Sequence, residues 1–183
     1  RGWERMYPNF VGAEALLASE NAKFSNWGMG STPQWAATHP FCRNAFAIAE
    51  YGPVFLNKFL RADNKSGVKR ITTDGFELAT AVTYQNPVQN FALTPNNLTD
   101  APRESIEFMK KVPTVWDETR YVAGYPGKFA VIARRSGKTW YVAGVAAEDV
   151  ETEIDLSFAG GTREKIKIAR ADGFVRTLAA TGR

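Results

Sequence analysis

A chain of 183 residues with 44% apolar and 13% aromatic side chains can build one globular domain or two small ones, which excludes a disordered tail. Its net charge of +4 is scattered, with only Lys128, Arg134, Arg135 and Lys138 close together inside an expected strand, so no basic segment of the nucleic-acid-binding kind is present. One Cys excludes an internal disulfide, one Cys with one His leaves no zinc-ligand spacing, and no run of about eighteen apolar residues marks a membrane span.

The chain opens on Arg1 with no Met and reads as a piece of something longer. A signal peptide, if one exists, would lie upstream of Arg1. After the Tyr7-Pro8-Asn9 turn, residues 11–24 are rich in Ala, Leu and Glu and predict a helix. Residues 26–39 read as a Gly/Ser/Thr/Pro-rich loop holding Trp27 and Trp35. Residues 41–60 are apolar but broken at Gly52-Pro53, and Cys42 reads as a small buried apolar residue. A second helix is predicted over 74–84 with Thr72 and Thr73 near its N-cap. Val88 to Leu93 is a candidate buried strand. Residues 102–111 predict a third helix with Arg103, Glu104, Glu107, Lys110 and Lys111 on its wet side.

The period then changes. Residues 129–133, 139–145, 151–158 and 164–170 read as strands, and 153–158 and 165–168 alternate polar and apolar. Ser136-Gly137-Lys138 and Gly160-Gly161-Thr162 supply hairpin turns. The expected division lies near residue 113, with helical units before it and an antiparallel sheet or sandwich after it.

Two carboxylates stand out because acids among aromatic residues are what a sugar-cleaving site is built from. Glu14 and Glu20 are six residues apart. On one helix that is about 600 degrees of turn, which leaves them about 120 degrees apart, so a straight helix does not aim both at one point. On spacing alone they read as two solvated glutamates.

The residues Arg1-Gly-Trp-Glu-Arg-Met-Tyr-Pro-Asn9, Glu14, Glu20, Pro40-Phe-Cys-Arg-Asn44, Val112-Pro-Thr-Val-Trp-Asp-Glu-Thr-Arg120, Gly124-Tyr-Pro-Gly127, Ala133-Arg-Arg135 and Trp140-Tyr-Val-Ala-Gly144 change that reading. In this order they resemble the C-terminal part of glycoside hydrolase family 97, the calcium-dependent α-glucosidases and α-galactosidases, over nearly the whole chain. The resemblance implies an α/β plus β protein. Residues 1–112 would be the last units of a (β/α)8 barrel, and 113–183 a small antiparallel β-sandwich domain. It implies Glu20 as the general acid and Glu14 as a Ca2+ ligand, on the barrel face where βα loops gather. His39 and Trp27 become candidates to touch the sugar. The substrate would be an oligo- or polysaccharide α-glycoside, and the location periplasmic or secreted.

The family's other site carboxylates would lie in a missing N-terminal part of the same chain, so this piece alone is expected to be inactive. The Arg-Gly-Trp opening is similar to retaining members. Glu50-Tyr51-Gly52-Pro53 stands where the family often has Asp-Tyr-Thr-Pro, and Asn90-Phe91-Ala92-Leu93 where His-Phe-Ala-Asp is common. Both departures point to a shifted specificity. Trp27 and Trp35 could stack on a sugar ring but read first as loop anchors against the barrel, and an acid paired with Arg120 reads as structural. The rival reading is a non-catalytic β module that binds carbohydrate or a partner, with the helical segment as its mount.

Overall fold

The computed structural model describes residues 6–10, 32–48, 54–59, 61 and 63–180. The helix expected over 11–24, and Glu14, Glu20 and Trp27 with it, lie outside the described residues.

Two short helices, α1 (Thr32–Ala36) and α2 (Arg43–Phe46), flank a 3-10 turn over His39–Phe41. The expected loop over 26–39 is therefore interrupted by helix. Pro33 in the first turn of α1 lacks only an N–H that has no intrahelical partner there, and its fixed φ suits the start. Cys42 is exposed rather than buried, because it sits at the break between the 3-10 turn and α2.

α3 (Asp74–Thr83) matches its expected span to one residue. Thr73 caps it, accepting from the Phe76 N–H at 3.1 Å, and Asp74 and Glu77 sit in the first turn, where the helix dipole favours acids. It is buried nearly all round: Phe76, Glu77, Ala79, Thr80, Ala81, Val82 and Thr83 are all inside. The buried Glu77 carboxylate accepts from the Phe55 N–H at 3.1 Å and from the Thr72 hydroxyl, which staples residues 54–56 to the helix. α4 (Asn97–Asp100) leads to α5 (Arg103–Lys111), whose Ser105 and Met109 are buried while its charged side faces water, as its sequence pattern predicts.

Val88 to Leu93 forms no strand, and Val88 is 48% exposed. Gln89 makes a single bridge, the Val88 N–H donates to Asn86 Oδ1 at 3.0 Å, and Gln89 Nε2 donates to the Ala81 carbonyl at 2.7 Å. Among the described residues before Glu118, Phe59 and Lys69 make an isolated bridge and no strand forms.

From Glu118 the chain is antiparallel β. The strands are β1 (Glu118–Tyr125), β2 (Phe129–Ser136), β3 (Thr139–Ala146), β4 (Val150–Asp155), β5 (Arg163–Ile168) and β6 (Gly173–Ala179). A four-stranded sheet runs β1-β2-β3-β6, and β4-β5 form a separate hairpin. β1 and β6, the two edge strands, had no clear period in the sequence.

β2 and β3 are covered on both faces. Val131, Ala133, Trp140, Val142 and Ala146 pack against Ile154, Leu156, Ile166 and Ile168 of the hairpin region. Ala130, Ala143 and Val145, on the opposite face, join Phe76, Ala79 and Val82 of α3. Double burial accounts for the nearly continuous apolar run of these strands, while β4 and β5, wet on one side, alternate. The approach of α3 is close: a Cβ on Gly75 would fall 2.3 Å from the Gly173 carbonyl oxygen. Residues on both sides of 113 thus share one core.

Candidate functional site

Of the site residues named from the sequence, His39 is described and Glu14, Glu20 and Trp27 are not. His39 is 6% exposed. Its ring stacks on Trp35 at 6.1 Å between centroids and meets the Tyr84 ring edge-on at 5.4 Å. Burial pushes its pKa down to about 4, so the imidazole is neutral near pH 7. Its Nε2 is buried without a partner among the described residues, which leaves one ring nitrogen able to bond a hydroxyl. Trp35, its stacking partner, is 42% exposed and offers an open face beside it.

The segment that carries His39 leans on the β1–β2 turn. Phe41 meets the Tyr121 ring edge-on at 5.8 Å, and the Gly127 N–H donates to the Ala37 carbonyl at 3.3 Å. The Gly124-Tyr125-Pro126-Gly127 turn is a docking point for residues 37–41. Both of its glycines have positive φ, which a side chain would strain.

The run Trp116 to Arg120 ties the sheet together. Asp117 Oδ2 accepts from the Gly137 N–H at 2.7 Å and pairs with Arg135 at 3.3 Å, closing the β2–β3 turn. Glu118 pairs with Arg120 at 2.6 Å and with Arg135 at 3.4 Å. The Arg120 hydrogen bond, with Arg135 adding, holds the Glu118 carboxyl below the usual range. The Arg120 guanidinium lies over Phe158 at 4.8 Å and Trp140 at 5.5 Å.

Beside this run lies a cavity of about 190 Å³ lined by Ile48, Gln85, Pro87, Thr114, Val115, Trp116, Thr119 and Arg134. Arg134 is 3% exposed and its Nε is buried with no acceptor among the described residues. Burial pushes its pKa down to about 10, so it keeps its charge at neutral pH. Sequence reasoning did not single it out for function. The available signal was an arginine on the same face as Ala130 and Ile132 of a strand buried on both sides.

Ca2+ needs several hard oxygen ligands at one point. Among the described residues no group of three or more His, Cys, Asp or Glu could hold a metal ion.

The residues 115–176 match the family described as "Glycosyl-hydrolase 97 C-terminal, oligomerisation". The chain is 31% identical, over 96% of its length, to a probable retaining alpha-galactosidase of Streptomyces bingchenggensis, of which it covers 26%. It is 30% identical, over 87% of its length, to a retaining alpha-galactosidase of Bacteroides thetaiotaomicron, of which it covers 24%. It therefore spans about a quarter of the length of these curated relatives. Among solved structures it matches a beta-arabinopyranosidase with a TM-score of 0.89 and 44% identity, over 97% of this chain and 32% of that one. A family 97 enzyme of Pseudoalteromonas sp. strain K8, in complex with acarbose, shares the fold at a TM-score of 0.68 and 23% identity, over 99% of this chain and 32% of that one. The chain belongs to glycoside hydrolase family 97, and its residues 115–176 correspond to that family's C-terminal domain.

Proposed function

We propose that the complete protein hydrolyses pyranosides of galacto configuration, α-galactosides or β-L-arabinopyranosides, with Glu20 as general acid and Glu14 as one ligand of a Ca2+ ion. What supports this is likeness, across nearly the whole chain, to both a beta-arabinopyranosidase and alpha-galactosidases. The two sugar classes are the same shape at the ring: a β-L-arabinopyranoside is an α-D-galactoside without its hydroxymethyl group. One site can hold either and discriminate at that group.

The chemistry asks for a proton on the departing glycosidic oxygen. Glu20, held protonated in a site that water leaves, would supply it. Calcium, when bound, would hold sugar hydroxyls and offset the repulsion of clustered carboxylates. His39, neutral and with a ring nitrogen that has no partner among the described residues, would bond a sugar hydroxyl without adding charge, and Trp27 or Trp35 would lie against the ring. Residues 1–112 would belong to the end of the catalytic barrel. Residues 113–183 would serve assembly of copies, the role that the family's description names. A periplasmic or secreted location fits the same resemblance.

The test is initial rates of the complete protein on nitrophenyl α-galactoside, β-L-arabinopyranoside and α-glucoside, before and after chelation. A kcat/KM at least about tenfold higher on the first two than on the glucoside supports the reading. A preference for the glucoside would overturn it. Activity that survives full chelation would remove the calcium role.

A further inference from the structure

Arg134 is a charged side chain only 3% exposed, with its Nε unpartnered among the described residues. It projects from the middle of the sheet, in register with Thr119 on one side and Tyr141 on the other. Its guanidinium lies 6.0 Å above the Trp116 ring, and Trp116 in turn meets Tyr141 edge-on at 5.3 Å. The acids just before its register partner Thr119 are committed elsewhere: Asp117 to Arg135, and Glu118 to Arg120 and Arg135. Among the described residues Arg134 makes no ion pair. A buried guanidinium with no counter-charge among the described residues carries a desolvation penalty, which an anion in contact with it offsets.

The cavity beside Arg134 has the chemistry to receive one. No carboxylate of the described residues lines it. Trp116 Nε1 is a second donor there, also buried without an acceptor among the described residues. Thr114, Thr119 and Gln85 add polar groups, and Ile48, Pro87 and Val115 form an apolar wall. A planar guanidinium fork takes two oxygens of an oxyanion side by side, and one guanidinium balances the single charge of a monocarboxylate but not the higher charge of phosphate. At about 190 Å³ the space suits a molecule of a few heavy atoms rather than a sugar chain.

We propose that this cavity binds a small monocarboxylate, its oxygens on the Arg134 guanidinium and the Trp116 N–H and its short apolar tail along Ile48, Pro87 and Val115. The site lies where residues 48, 85 and 87 meet the β part, and it is independent of the hydrolytic reading above.

Titration calorimetry on the full chain tests it with sodium butyrate, sodium acetate, sodium phosphate, sodium chloride and neutral butyramide at one ionic strength. Butyrate is expected to bind saturably, with acetate weaker for want of the tail, and butyramide, phosphate and chloride without saturation. Arg134→Met should weaken butyrate at least about tenfold, the loss expected for a charge-assisted bidentate pair. Its fold should survive, because an apolar chain replaces an unpaired buried charge. Trp116→Phe should weaken binding while keeping the ring. Butyrate should also raise the melting temperature of the unmodified chain where butyramide does not, a readout that needs no variant. Equal effects of butyrate, chloride and butyramide, or unchanged butyrate binding in Arg134→Met, would overturn the proposal.

Discussion

A Cβ placed on Gly124 would fall 2.7 Å from Cζ of Phe41, so the β1–β2 turn and the segment that carries His39 meet where no side chain fits. The same Cβ would lie 2.7 Å from the Phe129 carbonyl oxygen. Rotation of Phe41 relieves only half of the conflict, because the second obstacle is backbone. The contact joins the β part to the one sequence-named site residue that the structure describes.

Gly124→Ala is therefore expected to destabilise the chain by about 2 kcal/mol or more. Gly137→Ala is the control: Gly137 also has a positive φ, 56°, but a methyl added there meets nothing within 4 Å, so only backbone strain of about 1 kcal/mol applies. Thermal melts of the two variants check the order. Equal losses would mean that Phe41 and the turn do not press on each other.

His39 sets a pH window. Its folded pKa of about 4 lies below the unfolded value of 6.5, so the unfolded chain takes up the proton first. Stability is complete above pH 6.5 and falls as the pH drops toward 4, by on the order of 2 to 3 kcal/mol. The chain has a single His, so its proton resonances report this residue alone. His39→Gln should flatten the loss between pH 6.5 and 5, above the range where carboxylates titrate. A resonance titrating near 6.5 in the folded chain would refute the burial argument.

Glu118 acts with the opposite sign. Its hydrogen bond from Arg120 lowers its folded pKa, so the contribution is present above the unfolded carboxylate value and is lost as the pH falls through the folded one. Glu118→Gln should therefore leave stability at pH 7 little changed, as for an exposed pair, and should shallow the acid limb below about pH 4.5. Urea melts at pH 7 and at pH 3.5 distinguish this from a steady loss at both.

The β part is expected to depend on α3. Residues 113–183 expressed without it would expose Ala130, Tyr141, Ala143, Val145 and Val175, which α3 and its neighbours cover. Such a face promotes association. Dye binding to exposed apolar surface and a broadened or lower melt should mark the shortened chain. A cooperative melt matching that of the full chain would show that the β part folds independently.

Glu20 tests the catalytic proposal in the complete protein. Glu20→Gln keeps shape and removes the proton, so substrates with poor leaving groups should lose about 10²–10⁴ in rate and activated aryl substrates much less. Glu14→Gln should weaken metal affinity and be partly rescued by added Ca2+. Equal, small losses on both substrate types would return Glu20 to a solvated position.

Local signals in the sequence determined α3, through the Thr73 cap and the acids behind it. They determined α5 through its charged face, β2 and β3 through their apolar runs, and the tight turn at Gly137. Each of these is set by neighbours within a turn or a hairpin, which is why a linear pattern carries it. The catalytic reading of Glu14 and Glu20 came from resemblance and not from their spacing, and both lie outside the described residues. Tertiary structure alone decided that β1 and β6 are strands, since an edge strand is defined by the partner that takes its hydrogen bonds. It also decided that pairing within 88–93 is confined to a bridge at Gln89, while Asn86 takes the Val88 N–H locally. Arg134 and Arg135 are adjacent in sequence, yet one faces a cavity and the other two carboxylates. Strand alternation sends them to opposite faces, and on its own face Arg134 packs beside Trp116 with no counter-charge among the described residues.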